Sequence, residues 1–339
     1  MHVAVVSMVR NAIDLVDDFL AHYLTLADRI HVVDHLSDDG AYELLRVRAQ
    51  QDPRVTVATL DYEPFLKSAV LTALAKRAVA DGADWVLPLD VDEFLPYDSG
   101  EALRSALSDA GSELVRFEWL NCVAQVVPSE NGPMDWSEPF LSIPSAPASS
   151  KIGVASGLVV RRGFRVGRGS HGIVLGSSLP PEPQLIGRLL HFPIRSMAQA
   201  RTKFEQYGRS YKALYPDMQQ RTKNWFAYRE LFRGAPTVLE AQSIALRYPK
   251  KDVAHVGDRT ANIAFQPNHR FSERPDLTPS GSRAPQQLHL FEHEVDAIIR
   301  SGEVVLRPVP LWRTRRLLDG TRVFLRRVQG WLTVRLRSA

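Results

Sequence analysis

Residues 85–94 read Trp-Val-Leu-Pro-Leu-Asp-Val-Asp-Glu-Phe, an apolar run that ends in two carboxylates one residue apart. If residues 85–89 form a buried strand, Asp90 and Asp92 stand at its C-terminal end, where open α/β sheets place their ligands. In an extended chain the two carboxylates share one side and Val91 faces the other. Two hard oxygen donors aimed at one point suit Mg2+ or Mn2+. An ion held by so few protein groups completes its shell with oxygens from a substrate, typically phosphate. The triplet alone is weak, because an acidic loop after a strand explains it equally well. Its surroundings have to decide.

Two other patterns compete with it. His289-Leu290-Phe291-Glu292-His293 would set two histidines one turn apart on a helix, as in a zinc peptidase, yet no acidic ligand follows in a second helix. Gly167-Arg168-Gly169-Ser170-His171-Gly172 fits a dinucleotide fingerprint by letters. The residues after it, Ile-Val-Leu-Gly-Ser-Ser, do not start a helix, so a dinucleotide site is not expected there.

The elements that would carry Asp90 and Asp92 are legible in the first hundred residues. Val3–Val9 is a short apolar strand. Ile13, Val16, Leu20, Tyr23, Leu24 and Ala27 recur at helical spacing. Arg29–Val33 is a second strand that ends at Asp34, and Ser37-Asp38-Asp39-Gly40 is a turn that caps a helix over 41–50. Val55–Leu60 is a third strand, 65–81 a long helix closed by Asp81-Gly82, and 85–89 the fourth strand. Alternation of this kind predicts right-handed crossovers and a mostly parallel sheet. Beyond it we expect a helix at 101–110, a strand at 114–119, a long loop at 128–150 and a hairpin over 151–166 around Arg161-Arg162-Gly163. A helix over 196–215 follows, with Ser196 and Gln199 in capping-box spacing. Residues 249–285 read as irregular and 286–300 as a short helix.

Composition narrows the class. Hydrophobic residues at 45% and charged residues at 24% are ordinary for a globular chain, and no apolar run is long enough for a membrane span. Cys122 is the only cysteine, which points to a reducing compartment, and the start of the chain reads as a first strand, not a signal peptide. The net charge of +4 is uneven: residues 311–339 hold eight arginines and one acid, Asp319, while the remainder holds 34 basic against 37 acidic residues. A nucleic-acid enzyme would spread its cations over the body, so no nucleic-acid partner is expected. Trp312, Leu317, Leu318, Phe324, Leu325, Val328, Trp331 and Leu332 interleave with the tail arginines. That pattern suits an amphipathic helix on an anionic membrane surface, or one packed on protein.

Several spaced segments together resemble a family 2-type glycosyltransferase of the GT-A fold, in the subgroup whose strand ends Asp-x-Asp-Glu-Phe. They are Ser7-Met8-Val9-Arg10-Asn11 after the first strand, and Asp34-His35-Leu36-Ser37-Asp38-Asp39-Gly40 after the second. The helix carrying Lys67 and Arg77 comes next, followed by residues 84–94. Looser likeness continues through Lys151-Ile152, Ser170-His171-Gly172 and Leu190-His191-Phe192-Pro193-Ile194-Arg195-Ser196. The chain departs from the family at Ala12, where Glu is usual, and at His35, where Asn is common.

The resemblance implies an α/β fold with a GT-A-like, Rossmann-type, mostly parallel central sheet flanked by helices and a helical C-terminal extension. It divides the chain into a glycosyltransferase domain over 1–245 (nucleotide-sugar half 1–97, acceptor half 98–245), an irregular or helical extension over 246–310 and a basic tail over 311–339. It implies transfer of a hexosyl or related sugar from a nucleoside-diphosphate sugar to a glycan or lipid-linked acceptor, with inversion, in the cytoplasm or at the inner face of the cell membrane. Asp92 would bind Mn2+ or Mg2+ directly. Asp90 would bind the metal, a metal-bound water or the ribose, and Asp34 and Asp39 the base and ribose. Arg10 would approach the diphosphate, and Lys67 would be among the residues that bind the donor. A third metal ligand would be His171 or His191. Glu118, between Phe117 and Trp119, is the first candidate for the general base, ahead of Asp135 and Glu138. Two rival readings stand beside this one: a zinc peptidase at His289, Glu292 and His293, and a non-catalytic nucleotide- or glycan-binding protein of the same fold.

Overall fold

A computed structural model describes residues 1–61, 63–124, 127, 140–142, 150–214 and 223–248. The first part alternates as its periodicity predicts. Its order is β1 (Val3–Val9), α1 (Ile13–Leu26), β2 (Arg29–Asp34), α2 (Ala41–Gln51), β3 (Val55–Thr59), α3 (Lys67–Ala80), β4 (Trp85–Pro88), β5 (Glu93–Phe94) and α4 (Gly100–Ser108). There follow β6 (Leu114–Val123), β7 (Phe140–Ser142), β8 (Ser150–Ala155), α5 (Ser156–Val159), β9 (Phe164–Val166), β10 (Ile173–Leu175) and β11 (Gln184–His191). The helices α6 (Met197–Leu214), α7 (Lys223–Arg233) and α8 (Val238–Arg247) end the described chain.

The expected α/β class holds. One sheet runs β3-β2-β1-β4-β8-β6-β11-β5, with β7 on β6, and β9 pairs β10 apart from it. Parallel pairing of β1 with β2 and β4, of β2 with β3, and of β6 with β11 gives those strands one direction. The antiparallel β8 passes between β4 and β6. The strand order turns back between β1 and β4, which leaves a crevice beyond their C-terminal ends.

The strands bury both faces. Every residue of β1 and of β4 is buried, so these runs read as continuously apolar instead of alternating. Phe19 and Tyr23 of α1 pack with Phe94 in the main core. The Tyr23 hydroxyl donates to the Glu93 carbonyl at 2.9 Å and accepts from the Leu95 amide at 3.1 Å. That pair ties the short β5 to α1 and so fixes the turn before it. Phe204 of α6, Phe232 of α7 and Ile244 of α8 form a second cluster with Val123 at the end of β6.

Three expectations are corrected. Residues 151–166 are not a hairpin: β8 joins the central sheet, and β9 pairs with β10 after the short α5 turn. Lys151 and the small Gly153 suit an interior strand packed against Leu87 and Val115, which a free hairpin would not offer. The segment 128–150 is not all loop, since β7 lies at its centre on β6. Asp90 and Asp92 do not continue β4. They sit in a turn closed by the Glu93 amide donating to the Asp90 carbonyl at 3.1 Å. The helix over 197–214 starts as expected, with Ser196 Oγ accepting the Gln199 amide at 3.0 Å. The expectations for 249–285, 286–300 and 311–339 lie outside the described residues.

Candidate functional site

The chain bends at the ends of β1, β2 and β4, and side-chain hydrogen bonds lock those bends together. Asn11, left-handed at φ 50°, accepts the Asp38 amide on its side chain at 2.8 Å, and its own amide donates to Ser37 Oγ at 2.9 Å. Asp39 accepts the Ile13 amide at 2.9 Å and the Ala41 amide at 2.9 Å, which ties together the starts of α1 and α2. Asp34 is buried and accepts the Ser37 amide at 3.1 Å through Oδ2, while its Oδ1 has no partner. Asp39 and Asp34 thus shape the two turns, and neither lines the crevice that the turns frame.

That crevice is lined by Arg10, Asn11, His35, Phe65, Lys67, Asp90, Asp92, Arg195, Lys203 and Tyr207 among others. Its cations outnumber its carboxylates. Phe65 and Tyr207 meet edge to face, with ring centroids 5.4 Å apart, on one wall. Arg10 reaches Ser210 Oγ at 3.0 Å and Glu63 at 3.3 Å.

Both carboxylates of the triplet are held by ammonium groups. Asp90 accepts from Lys67 through Oδ1 and from Lys151 through Oδ2, the latter at 2.9 Å. Burial alone would raise its pKa, but the charges of Lys151 and Lys67 outweigh burial and hold the carboxyl well below the usual range. Lys151 is only 1% exposed and lies 3.2 Å from Glu93, which is wholly buried. Burial works against its charge, and Asp90 foremost outweighs burial, so Lys151 stays protonated. Asp92 Oδ2 accepts from Lys203 at 2.8 Å, with Arg195 at 3.9 Å and His191 Nε2 at 3.7 Å. Burial raises the Asp92 pKa, and the Lys203 charge overcomes it, to about 2. Arg195 is itself committed to Asp14, at 2.5 and 3.0 Å.

Glu93 carries a pH-dependent consequence. Burial pushes its pKa up to about 8, opposed by Lys151 and helped by Asp90 and Asp92. A raised carboxyl pKa contributes stability that is full below the unfolded value of 4.5 and is lost as pH climbs through about 8. Glu93→Gln, which carries no titrating proton, is expected to remove this slope. Denaturant unfolding from about pH 5 to about pH 9 should show the wild type losing up to a few kcal/mol relative to the variant. Parallel curves would show that Glu93 stays ionised beside Lys151 throughout.

Of the two candidate histidines, His191 lies beside the triplet, with Nε2 3.7 Å from Asp92. The Asn121 amide donates to the Tyr248 carbonyl at 2.8 Å, which turns its Oδ1 toward His191 Nδ1, also at 2.8 Å. Nδ1 therefore holds the ring proton, and Nε2 turns a lone pair toward Asp92. Burial lowers the imidazole to about 3, so it stays neutral, as a ligand must. The ring stacks on Trp119, centroids 4.4 Å apart. His171 Nδ1 bonds the Ser150 carbonyl at 2.6 Å and its ring meets Trp119 edge on. Burial lowers it to about 4.

The donor set fits a divalent cation with two protein ligands, Asp92 and His191. Asp90 is taken up on both oxygens by lysine. No group of three or more His, Cys, Asp and Glu side chains that could hold an ion occurs among the described residues, so phosphate and water oxygens would have to complete the shell.

Glu118 is not brought to this crevice. It alternates with Phe117 and Trp119 on β6 and so points to the face opposite the Trp119 indole, half-exposed and 3.8 Å from Arg188. Asp135 and Glu138 lie outside the described residues, as do His289, Glu292 and His293. Lys203, Arg195, Asn121 and the Lys151–Glu93 pair escape the sequence reading of the site. A lysine inside the apolar strand Ser150–Ala155 is the one local signal that could have found any of them. No described helix is long and apolar enough to cross a membrane.

No family model and no curated protein matches the chain. Among solved structures, S. aureus TarS 1-349 matches at TM-score 0.36 and 12% identity, over 69% of this chain and 72% of that one. The mannosyltransferase PcManGT from Pyrobaculum calidifontis, in complex with GDP-Man and Mn2+, matches at TM-score 0.33 and 13% identity, over 72% and 73%. The 4-diphosphocytidyl-2C-methyl-D-erythritol synthase from Anaerococcus prevotii matches at 0.29 and 10%, over 46% and 71%. Likeness at this level assigns no activity to the chain.

Proposed function

We propose that this chain is a glycosyltransferase that takes its sugar from a nucleoside-diphosphate donor. One observation carries the reading. A crevice rich in cations lies beyond the ends of β1 and β4, and Asp92 in its lining faces the buried, neutral imidazole of His191 at 3.7 Å. A crevice with that charge favours a polyanion over a neutral ligand. Arg10, Lys67 and Lys203 are the groups that would take diphosphate oxygens, as charge-assisted donors. Phe65 and Tyr207 offer aromatic faces to a base or a sugar ring.

Asp92 and His191 would hold Mn2+ or Mg2+. When bound, such an ion supplies Lewis-acid neutralisation of the diphosphate as it leaves the anomeric carbon. Asp90 works differently: it aims Lys67 into the crevice and neutralises Lys151 beneath it. Tyr23 and Asn121 hold the turn and the imidazole in place, so the charges need little reorganisation during the reaction. The resemblance adds a glycan or lipid-linked acceptor, inversion, and a cytoplasmic place with the basic tail at the membrane. The general base then comes from residues other than those described in the crevice.

The test needs no acceptor. Incubation with a panel of nucleoside-diphosphate sugars and Mn2+ should release the nucleoside diphosphate from one donor class by slow transfer to water. Release should fall by about tenfold or more in Lys67→Ala, which loses a phosphate contact. No release and no binding from any donor would remove the reading.

A further inference from the structure

Lys203 holds the Asp92 oxygen that faces His191. Asp92 Oδ2 accepts from Lys203 at 2.8 Å and is the same atom that His191 Nε2 faces at 3.7 Å. Lys203 also donates to the Pro193 carbonyl at 3.0 Å, and its ammonium sits 5.1 Å from the centre of the Tyr248 ring. It is thus placed by several groups, not swept there by chance. Lys203 reaches the crevice from α6. Asp90 cannot relieve it, because both Asp90 oxygens are engaged by lysine.

We propose that Lys203 is the resident counter-ion of Asp92, and that it yields this carboxylate to a divalent cation only when a diphosphate offers it another anion. The proposal rests on the nucleotide-sugar reading and goes beyond it, since it sets the order of binding. Charge is the reason. A metal entering alone must displace an ammonium from a buried carboxylate and leave that ammonium unpaired in a crevice already rich in cations. A metal entering with a nucleoside diphosphate brings the anion that Lys203 needs. Lys203 then moves from carboxylate to phosphate with no charge left unpaired. Free metal therefore binds weakly, and metal and donor bind together.

The test is Mn2+ binding to the nucleotide-free protein, read as the loss of free Mn2+ signal by electron paramagnetic resonance. Lys203→Met is expected to bind Mn2+ about tenfold or more tightly than wild type, because the competing charge is gone. Lys203→Arg should stay near wild type, and adding Asp92→Asn to Lys203→Met should remove the gain. Lys203→Gln serves in place of Met should the latter not fold, as judged by circular dichroism. A second arm adds UDP or GDP to the Mn2+ titration, where the nucleotide should tighten Mn2+ binding about tenfold or more in wild type and much less in Lys203→Met. Equal or weaker Mn2+ binding in the Met and Gln variants, or none in any of them, overturns the proposal. Absence of nucleotide binding to wild type under every condition would instead overturn the function on which it rests.

Discussion

Asp92→Ala is expected to lower kcat/KM for the donor by about a thousandfold, the scale of losing a preorganised electrostatic contact to a leaving group. The loss should fall on kcat as well as on donor binding in the presence of Mn2+, because the metal is engaged most strongly as charge builds on the diphosphate. Asp92 is the only carboxylate in the turn that shares its position with the neutral His191 nitrogen. Asp92→Asn keeps the shape and still cannot balance the charge, so it should be nearly as inactive. Stability should change less, because Lys203 keeps its bond to the Pro193 carbonyl. Steady-state kinetics beside a melting curve checks both. An active Asp92→Ala enzyme would remove the metal from the account.

Asp90 gives the opposite result, although it stands two residues away. Asp90→Leu is expected to cost about 3–5 kcal/mol, because Lys151 would keep its charge in a buried site with only the raised Glu93 beside it. For a domain of this size that is a fall in melting temperature of roughly 10 °C. Adding Lys151→Met should recover much of it, since removing both charges of a buried pair costs less than removing one. Denaturant unfolding of the two single variants and the double variant closes the cycle. A residue that served only as a metal ligand would show no such loss: relieving its repulsion with Asp92 would leave the protein unchanged or more stable.

The alternation of β1 to β4 with α1 to α3 was legible because each element follows from local apolar spacing and turn residues. Ser37 to Gly40 and Asp81-Gly82 marked their turns through local backbone chemistry. The triplet was legible as a site for the same reason: carboxylates that end a buried strand are out of place unless something meets them. What meets Asp90 was not legible. Lys151 arrives on β8, 61 positions after Asp90, as Lys203 reaches Asp92 from α6, 111 positions on, and no local pattern couples residues so far apart. The extended register assumed for Asp90 and Asp92 failed because the Glu93 amide closes a turn, a bond that strand periodicity cannot anticipate. Glu118 looked suitable between two aromatics, but strand alternation sends it to the face opposite Trp119. Both histidines bond a carbonyl oxygen through Nδ1, and what tells them apart is the 3.7 Å approach of His191 Nε2 to Asp92, which depends on the fold.

The crevice is expected to bind a nucleoside diphosphate with a divalent cation on Asp92. A thermal-shift panel of UDP, GDP, dTDP and CMP, each with Mn2+ or EDTA, on wild type and Asp92→Ala, tests it most directly. One nucleoside diphosphate is expected to stabilise the wild type, more with Mn2+ than with EDTA, and the Mn2+ increment should vanish in Asp92→Ala. No stabilisation by any nucleotide, with stabilisation by Zn2+ alone, would contradict it and turn attention to His289, Glu292 and His293.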